Sequence, residues 1–227
     1  MFQRSQIAHK LVTAEQAAAR VRSGDRVITG QAAGVPTALL DALCARRDLK
    51  DVEVFHVLTM AGAPYCAPEA AGRLRFNTIF ASASTRTAVQ EGRADFTACF
   101  FYRLPDWVRE HPFDVAMVQV SPPDRHGWSS LGVAVDYALA AVRTAKLVIA
   151  HVNDQMPRTL GDCFVHVDEL DCIVERSEPL PELPPARIGP VEEAIGRHCA
   201  ALIRDGDTLQ LGIGAIPDAV LKFLTDK

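Results

Sequence analysis

The chain contains no CxxC pair, no secretory leader pattern, no apolar run long enough to cross a bilayer and no cluster of basic residues. Each absence removes a class of function. Six cysteines, Cys44, Cys66, Cys99, Cys163, Cys172 and Cys199, stand singly, which argues for reduced thiols in a cytoplasm, most of them small core residues. The longest apolar runs are of strand length and broken by charges, so no transmembrane helix and no membrane partner are expected. Without a basic patch, and with a net charge of -4, nucleic acid is not an expected partner either. No G-x-S-x-G elbow is present, and neither a metal site nor a tightly bound cofactor is expected. What remains, 48% hydrophobic and 23% charged residues in 227, suits a soluble globular enzyme.

Two stretches repeat each other. AAARVRSGDRVITGQAAGVPTALLDAL at 17–43 and CAALIRDGDTLQLGIGAIPDAVLKFL at 199–224 share one grammar. A helix ends at Gly, an apolar strand follows, then a Gly-containing loop, then a Pro that opens another helix. Ala18, Ala19, Arg22, Gly24, Asp25 and Gly30 recur as Ala200, Ala201, Arg204, Gly206, Asp207 and Gly212; after a one-residue slip Pro36, Ala38, Leu40 and Leu43 recur as Pro217, Ala219, Leu221 and Leu224. A strand feeding a Gly loop and a helix start is a common way to aim backbone N–H groups at an anion or oxyanion. The first copy is followed by a long sequence, and the second reaches Lys227 one helix past its loop. The expectation is therefore a duplicated protein with its second copy truncated: a full domain over 1–185 and the opening of another over 186–227.

In chain order, Thr13 and Gln16 form a capping box for a helix over 14–22 that stops at Gly24. Strand 26–29, loop 30–36, helix 36–47 and strand 52–57 follow. For Gly30 and Gly34 alone, a tight turn is the plain reading. GAPYCAP at 62–68 is too rich in turn formers for regular structure and is expected to border a cleft. Strands are expected at 76–80 and 96–101, with Ser84 or Thr85 capping a helix over 86–91. A short helix at 104–110 leads to a buried strand at 114–120. Then come loop 121–132, helix 133–144, strand 146–151 and strand 163–167. An acidic stretch and the semi-rigid linker PLPELPP at 179–185 precede helix 190–204, strand 208–211 and loop 212–217. This alternation gives the fold class: α/β, an open, mainly parallel sheet flanked by helices, with ligands beyond the carboxyl ends of the strands.

Loop 121–132, SPPDRHGWSSLG, is the most distinctive. Turn chemistry explains Pro122, Pro123, Asp124, His126 and Gly127. Ser121, Asp124, His126, Ser129 and Ser130 also gather polar groups past a strand end, although an Asp/His/Ser triad is not favoured by closeness in sequence alone. Arg158 reads as a structural ion pair, or as a two-pronged clamp for a carboxylate or phosphate. GIGAIP imitates the start of a dinucleotide fingerprint, but Pro217 stands where the third Gly belongs.

VSPPDRHGWSSLGVAVDY, HVNDQMPRTLGDCFVHVDELD and DGDTLQLGIGAIPDAVLKFL resemble, in the same order, segments of the acetyl-CoA hydrolase/transferase family, which includes 4-hydroxybutyrate and butyryl-CoA:acetate CoA-transferases. The resemblance spans nearly the whole chain. It implies two similar α/β domains facing each other across the active site. It also implies coenzyme A, as acyl-CoA, and a small carboxylate such as acetate as substrates. The nucleophile it implies is a glutamate about two dozen residues after the GIG loop, near Glu-Met-x-x-Asp-Gly, which falls beyond Lys227; the 227-residue chain is then expected to be inactive alone. On this resemblance Gly212, Ile213 and Gly214 are expected to present the oxyanion donors. The candidate substrate- or CoA-contacting residues are Gln31, Gly34, Pro36, Ser84, Thr85, Ser121, His126 and Pro217. Several family members carry His where this chain has Gln31, so Gln31 is read as a contact and not a base. An acyl-CoA hydrolase, with water as acceptor, and a non-catalytic CoA-binding or subunit-interaction module are the alternatives; a homo-oligomer or a complementing chain is the expected assembly.

Overall fold

A computed structural model describes residues 4–226, which divide into two compact units between Pro181 and Glu182. The first unit is built on a seven-stranded sheet in the order β4-β3-β2-β1-β5-β7-β9. Its strands are β1 (Arg26–Thr29), β2 (Val52–Phe55), β3 (Leu74–Thr78), β4 (Ala94–Phe96), β5 (Val115–Val120), β7 (Leu147–Val152) and β9 (Cys172–Glu175), and every pairing is parallel. Burial on both faces is what a parallel sheet requires. VAMVQV in β5 supplies it, all six residues being buried. Helix α1 (Ala14–Ala18) precedes β1, and α2 (Thr37–Ala45), α3 (Arg86–Gln90), α4 (Leu104–Glu110) and α5 (Ala138–Thr144) lie in connections between strands. The apolar core lies on both sides of the sheet, with Leu39, Leu43 and Phe76 in one cluster and Phe55, Phe113 and Tyr137 in another.

The capping box of α1 is present: the Thr13 hydroxyl accepts from the Gln16 N–H, and the Gln16 side chain accepts from the Thr13 N–H. The helix is shorter than expected, because beyond Ala18 the chain tightens into i to i−3 bonds from Arg20 to Ala17 and from Val21 to Ala18. Pro36 precedes α2 as its N-cap instead of beginning it, and extended backbone at Arg46 ends it. Thr85 precedes α3, but its hydroxyl makes no cap bond; it accepts from the Ser82 N–H at 3.1 Å.

Other expectations are corrected more substantially. The strand placed at 96–101 is β4, which ends at Phe96; after Thr97 donates to Thr78 the chain leaves the sheet edge, and Phe101–Arg103 is a 3-10 turn leading into α4. Helix α5 begins at Ala138 and not at 133, because Gly132 adopts φ +62 and 133–137 continues as a loop. Within loop 121–132, β6 (Trp128–Ser130) pairs antiparallel with β8 (Phe164–His166) in a separate two-stranded ribbon. The acidic stretch contains β9.

The second unit holds α6 (Pro190–Ala201) and α7 (Ala215–Lys222). The strand expected at 208–211 is absent. Those residues are exposed and pair with nothing in a ladder. The repeat nevertheless persists in local geometry. The Arg22 N–H donates to Asp25 Oδ2 at 2.7 Å and the Arg204 N–H to Asp207 Oδ2 at 2.8 Å, around Gly24 at φ +83 and Gly206 at φ +87.

The two helices of this unit cross where Gly196 meets Ala219. A methyl group on Gly196 would stand 2.6 Å from the Ala219 carbonyl carbon and 2.8 Å from its Cβ. Gly196→Ala gains about 1 kcal/mol in helix propensity, but overpacking against backbone costs roughly 1–3 kcal/mol. We expect net loss, read as faster hydrogen exchange in α7; unchanged or slower exchange would contradict this crossing.

Candidate functional site

The strand order reverses once. From β1 the chain proceeds outward through β2 and β3 to β4, then returns to place β5 on the other side of β1. Crevices form at such a switch point, beyond the carboxyl ends of the diverging strands. Loop 30–36 leaves β1 there and loop 121–132 leaves β5 there.

Loop 30–36 is fixed at almost every residue. The Gly30 N–H donates to Met117 at 3.0 Å, the Ala32 N–H to Leu58 at 2.8 Å, and the Gly34 N–H closes a turn on Gln31 at 2.8 Å. Side chains hold the carbonyls: Tyr137 Oη donates to Thr29 at 2.8 Å and Gln119 Nε2 to Val35 at 3.0 Å. Both glycines are sterically required. A Cβ on Gly30 would lie 2.5 Å from the Gly34 oxygen, and one on Gly34 would lie 2.4 Å from the Ala134 Cβ. Gly34 and Pro36 are buried, so they shape the loop.

Gln31 is buried, and its Nε2 donates to Asp136 Oδ2 at 2.6 Å. Asp136 touches solvent on one side and crowded protein on the other. That burial raises its pKa above the usual carboxylate range, against the opposing bonds from Gln31, the Tyr137 N–H and the Ala138 N–H. The sequence pointed to Gln31 but not to this partner.

A second layer of polar residues lies at the carboxyl ends of β5 and β7. Asn153, fully buried just after β7, donates to Gln119 Oε1 at 2.8 Å and to the Glu178 carbonyl at 2.7 Å, while its own oxygen accepts from the Glu178 N–H at 3.2 Å. The Glu178 carboxylate accepts from the Thr37 hydroxyl, pairs with Arg176 at 3.2 Å and faces buried His151 Nδ1 at 3.7 Å. Gln119, His151, Asn153 and Glu178 were not singled out from the sequence. Glu178, three residues past the end of β9, has no local signal; for Gln119, His151 and Asn153 the signal was a polar residue inside or directly after an otherwise apolar strand, as in VAMVQV and LVIAHVN. His56, following β2, is of the same kind: fully buried, bonded to the Tyr65 hydroxyl, and pushed down to about 3 by burial.

Loop 121–132 is largely self-satisfied. Ser121 is buried, and its hydroxyl accepts from the Ser130 N–H at 2.9 Å. Asp124 accepts from the N–H groups of Trp128 and His126 and from Arg158 at 2.7 Å, and these bonds, the Trp128 N–H foremost, lower its pKa. Arg158 therefore makes the structural ion pair. His126 is exposed and its Nε2 accepts from Arg125, so it does not activate a serine. Ser84 is exposed at the carboxyl end of β3, two strands from β1. Thr85 is buried, its hydroxyl 3.0 Å from that of Ser82.

In the second unit Gly212 and Ile213 are exposed, Gly214 sits at φ +131 as the N-cap of α7, and Pro217 is half-buried in its first turn. Among the described residues the N–H groups of Gly212, Ile213 and Gly214 donate to no other group. Donors of this kind suit an anionic oxygen.

Residues 1–184 match the family of the acetyl-CoA hydrolase/transferase N-terminal domain. The chain is 50% identical over 221 residues to 4-hydroxybutyrate coenzyme A transferase of Clostridium kluyveri, an alignment covering 96% of this chain and 52% of the relative. It is 40% identical over 219 residues to succinyl-CoA:cyclohexane-1-carboxylate CoA transferase of Geobacter metallireducens, covering 96% and 50%. Among solved structures, RipA from Yersinia pestis superposes with a TM-score of 0.93 at 32% identity, covering 100% of this chain and 56% of that one. The chain thus spans about half the length of the curated relatives it matches.

The buried His56 gives a testable pH dependence. Its folded pKa is about 3 against an ordinary 6.5, so below pH 6.5 the unfolded chain binds a proton that the folded chain refuses. Its contribution is complete above 6.5 and is lost as pH falls toward 3. Between pH 7 and pH 5 this amounts to about 2 kcal/mol, and His56→Gln should remove that part of the acid slope in urea unfolding. An identical slope in the variant would refute the assignment.

Proposed function

The chain belongs to the acetyl-CoA hydrolase/transferase family, and on that premise we propose that it serves an acyl-CoA:carboxylate CoA-transferase acting on small acids such as acetate. The observation that carries this reading is the pinned loop 30–36 at the β1/β5 switch point, in a chain half identical to a 4-hydroxybutyrate coenzyme A transferase. Covalent catalysis fits the chemistry, because it divides a difficult exchange between two anions into easier acyl transfers. The nucleophile in this proposal is a glutamate outside the 227 residues, near Glu-Met-x-x-Asp-Gly. Its carboxylate oxygen attacks the thioester carbonyl carbon, the C–S bond breaks, and CoA leaves as thiolate from an acyl-glutamyl anhydride. The thiolate then attacks the glutamyl carbonyl, giving a glutamyl-CoA thioester and releasing the first carboxylate. An acceptor carboxylate runs the same steps backward.

Within this chemistry Gly212, Ile213 and Gly214 are the oxyanion donors. Gln31 is a binding residue, its amide held in one orientation by Asp136. Glu175 and Glu178 take no covalent part; the Glu178 carboxylate is already engaged by Thr37 and Arg176.

Two experiments test the assignments. Incubated with acyl-CoA, a chain extended through the glutamate motif should form a glutamyl-CoA thioester, which hydroxylamine converts to a glutamyl hydroxamate and borohydride reduces to the alcohol, each with release of CoA thiol and each read by mass spectrometry; the 227-residue chain should form none. A CoA adduct on Glu175 or Glu178 would overturn the mechanism. In the extended enzyme Gly214→Val, placed at φ +131, should lower kcat by roughly a hundredfold, the loss typical of one oxyanion donor. Gln31→Ala should instead change KM or the preference among acyl groups. Loss of the covalent intermediate in Gln31→Ala, with CoA affinity intact, would reverse the two roles.

A further inference from the structure

Loop 30–36 is anchored at both ends. Upstream, the N–H groups of Gly30 and Ala32 reach Met117 and Leu58. Downstream, the two residues that flank Pro36 are held by side chains: Gln119 Nε2 donates to the Val35 carbonyl at 3.0 Å, and the Thr37 hydroxyl donates to Glu178 Oε1. Both downstream ties lead to Glu178. Gln119 is oriented by Asn153, which holds the Glu178 backbone at its N–H and at its carbonyl. Thr37 meets the carboxylate of the same residue, 141 positions along the chain.

Thr37 opens α2, and Pro36 before it makes no side-chain cap bond. A carboxylate suits the positive end of a helix dipole, and at α2 it comes from far along the sequence. This carboxylate has few other partners. Arg176 pairs with Oε2 at 3.2 Å. His151 Nε2 lies 2.8 Å from the Arg176 carbonyl, which places the proton of the neutral ring on Nε2. Its Nδ1, buried and without a hydrogen-bond partner, then turns a lone pair toward Oε1 at 3.7 Å. Among the described residues the Thr37 hydroxyl is therefore the one donor to Oε1. With only 18% of its side chain exposed, Glu178 is a poor source of stability, since an apolar side chain of similar volume would avoid the desolvation cost. What it does supply is a fixed link between segment 176–178 and the start of α2.

We propose that Glu178 is a positioning residue of the transferase: through Thr37 and Asn153 it sets the conformation of loop 30–36, and so the place at which Gln31 meets the acyl group. Its effect on catalysis rests on the CoA-transferase reading; its hold on the loop does not.

Hydrogen exchange of the 227-residue chain tests the hold, and kinetics of the extended enzyme test its use. Thr37→Val keeps the side-chain shape and loses the hydroxyl, and Glu178→Ala keeps the backbone that Asn153 holds. In both, the Gly34 amide should exchange at least tenfold faster, the worth of one hydrogen bond to a charged group, with β7 protected as in the wild type. Thr37→Ser should restore slow exchange. In the extended enzyme Thr37→Val should raise KM for acyl-CoA roughly tenfold with little change in kcat, and Thr37→Ser should recover the KM. Thr37→Val should also shift the preference among acyl groups in the direction that Gln31→Ala shifts it, and the double variant should shift it no further, as expected where one residue acts through the other. Unchanged exchange at Gly34 would overturn the proposal, as would faster exchange throughout β7, which would make the pair an ordinary packing contact. Effects of Thr37→Val and Gln31→Ala that add in full would overturn it too. If the extended wild-type enzyme formed no glutamyl-CoA thioester, the transferase reading would fall, and exchange at Gly34 would still decide whether Glu178 holds the loop.

Discussion

The close approach of Gly30 to the Gly34 carbonyl, and of Gly34 to the Ala134 methyl, governs the turn that leaves β1. Neither position has room for a methyl group, and that lack of room lets the chain leaving β1 turn sharply enough to stay beside β5. The surrounding groups serve this turn. Gln119 reaches from β5 to hold its far carbonyl, Asn153 orients Gln119, and Asn153 is itself held by the backbone of Glu178. An amide side chain buried in a low-dielectric interior is costly when one of its groups is unmatched. Here each amide fixes the orientation of the next, so three strand ends and the segment after β9 act as one polar unit.

Much of this architecture was readable from residue order, where local preference and tertiary demand agree. Arg26–Thr29 and Leu104–Glu110 fall where apolar pattern and turn residues place them. The failures have a common cause. FTACFF at 96–101 looks like a strand because aromatic residues favour strands, but β4 is an edge and the following aromatics face outward. TLQL at 208–211 has strand composition, yet a strand needs a neighbour to complete its hydrogen bonds. The ribbon of β6 and β8 was hidden because its two short segments are far apart in sequence and register between them cannot be read from either alone.

The site divides in the same way. Gln31 and the Gly loops are visible because glycine next to a strand is a local signal, reinforced by repetition. Asp136, Asn153 and Glu178 act through partners more than twenty positions distant. Ser121 and Asp124 cluster in sequence, and in the structure both accept hydrogen bonds from backbone N–H groups of their own loop.

The placement of β5 beside β1 also constrains how the chain is made. The hydrogen bond from the Arg26 N–H to Asp114 Oδ2 joins residues 88 positions apart, and all the strands from β2 to β4 are synthesised between them. A ribosome adding about 5–20 residues per second needs several seconds to cover that interval. Throughout it, the inner edge of β1 has no neighbour, and the loop that later depends on Gln119 and Asn153 cannot yet be held. Long-range parallel pairing is slow even for a complete chain. The nascent half-sheet, with its two open edges, is therefore the state in which this protein is most exposed to wrong pairing and to chaperone capture.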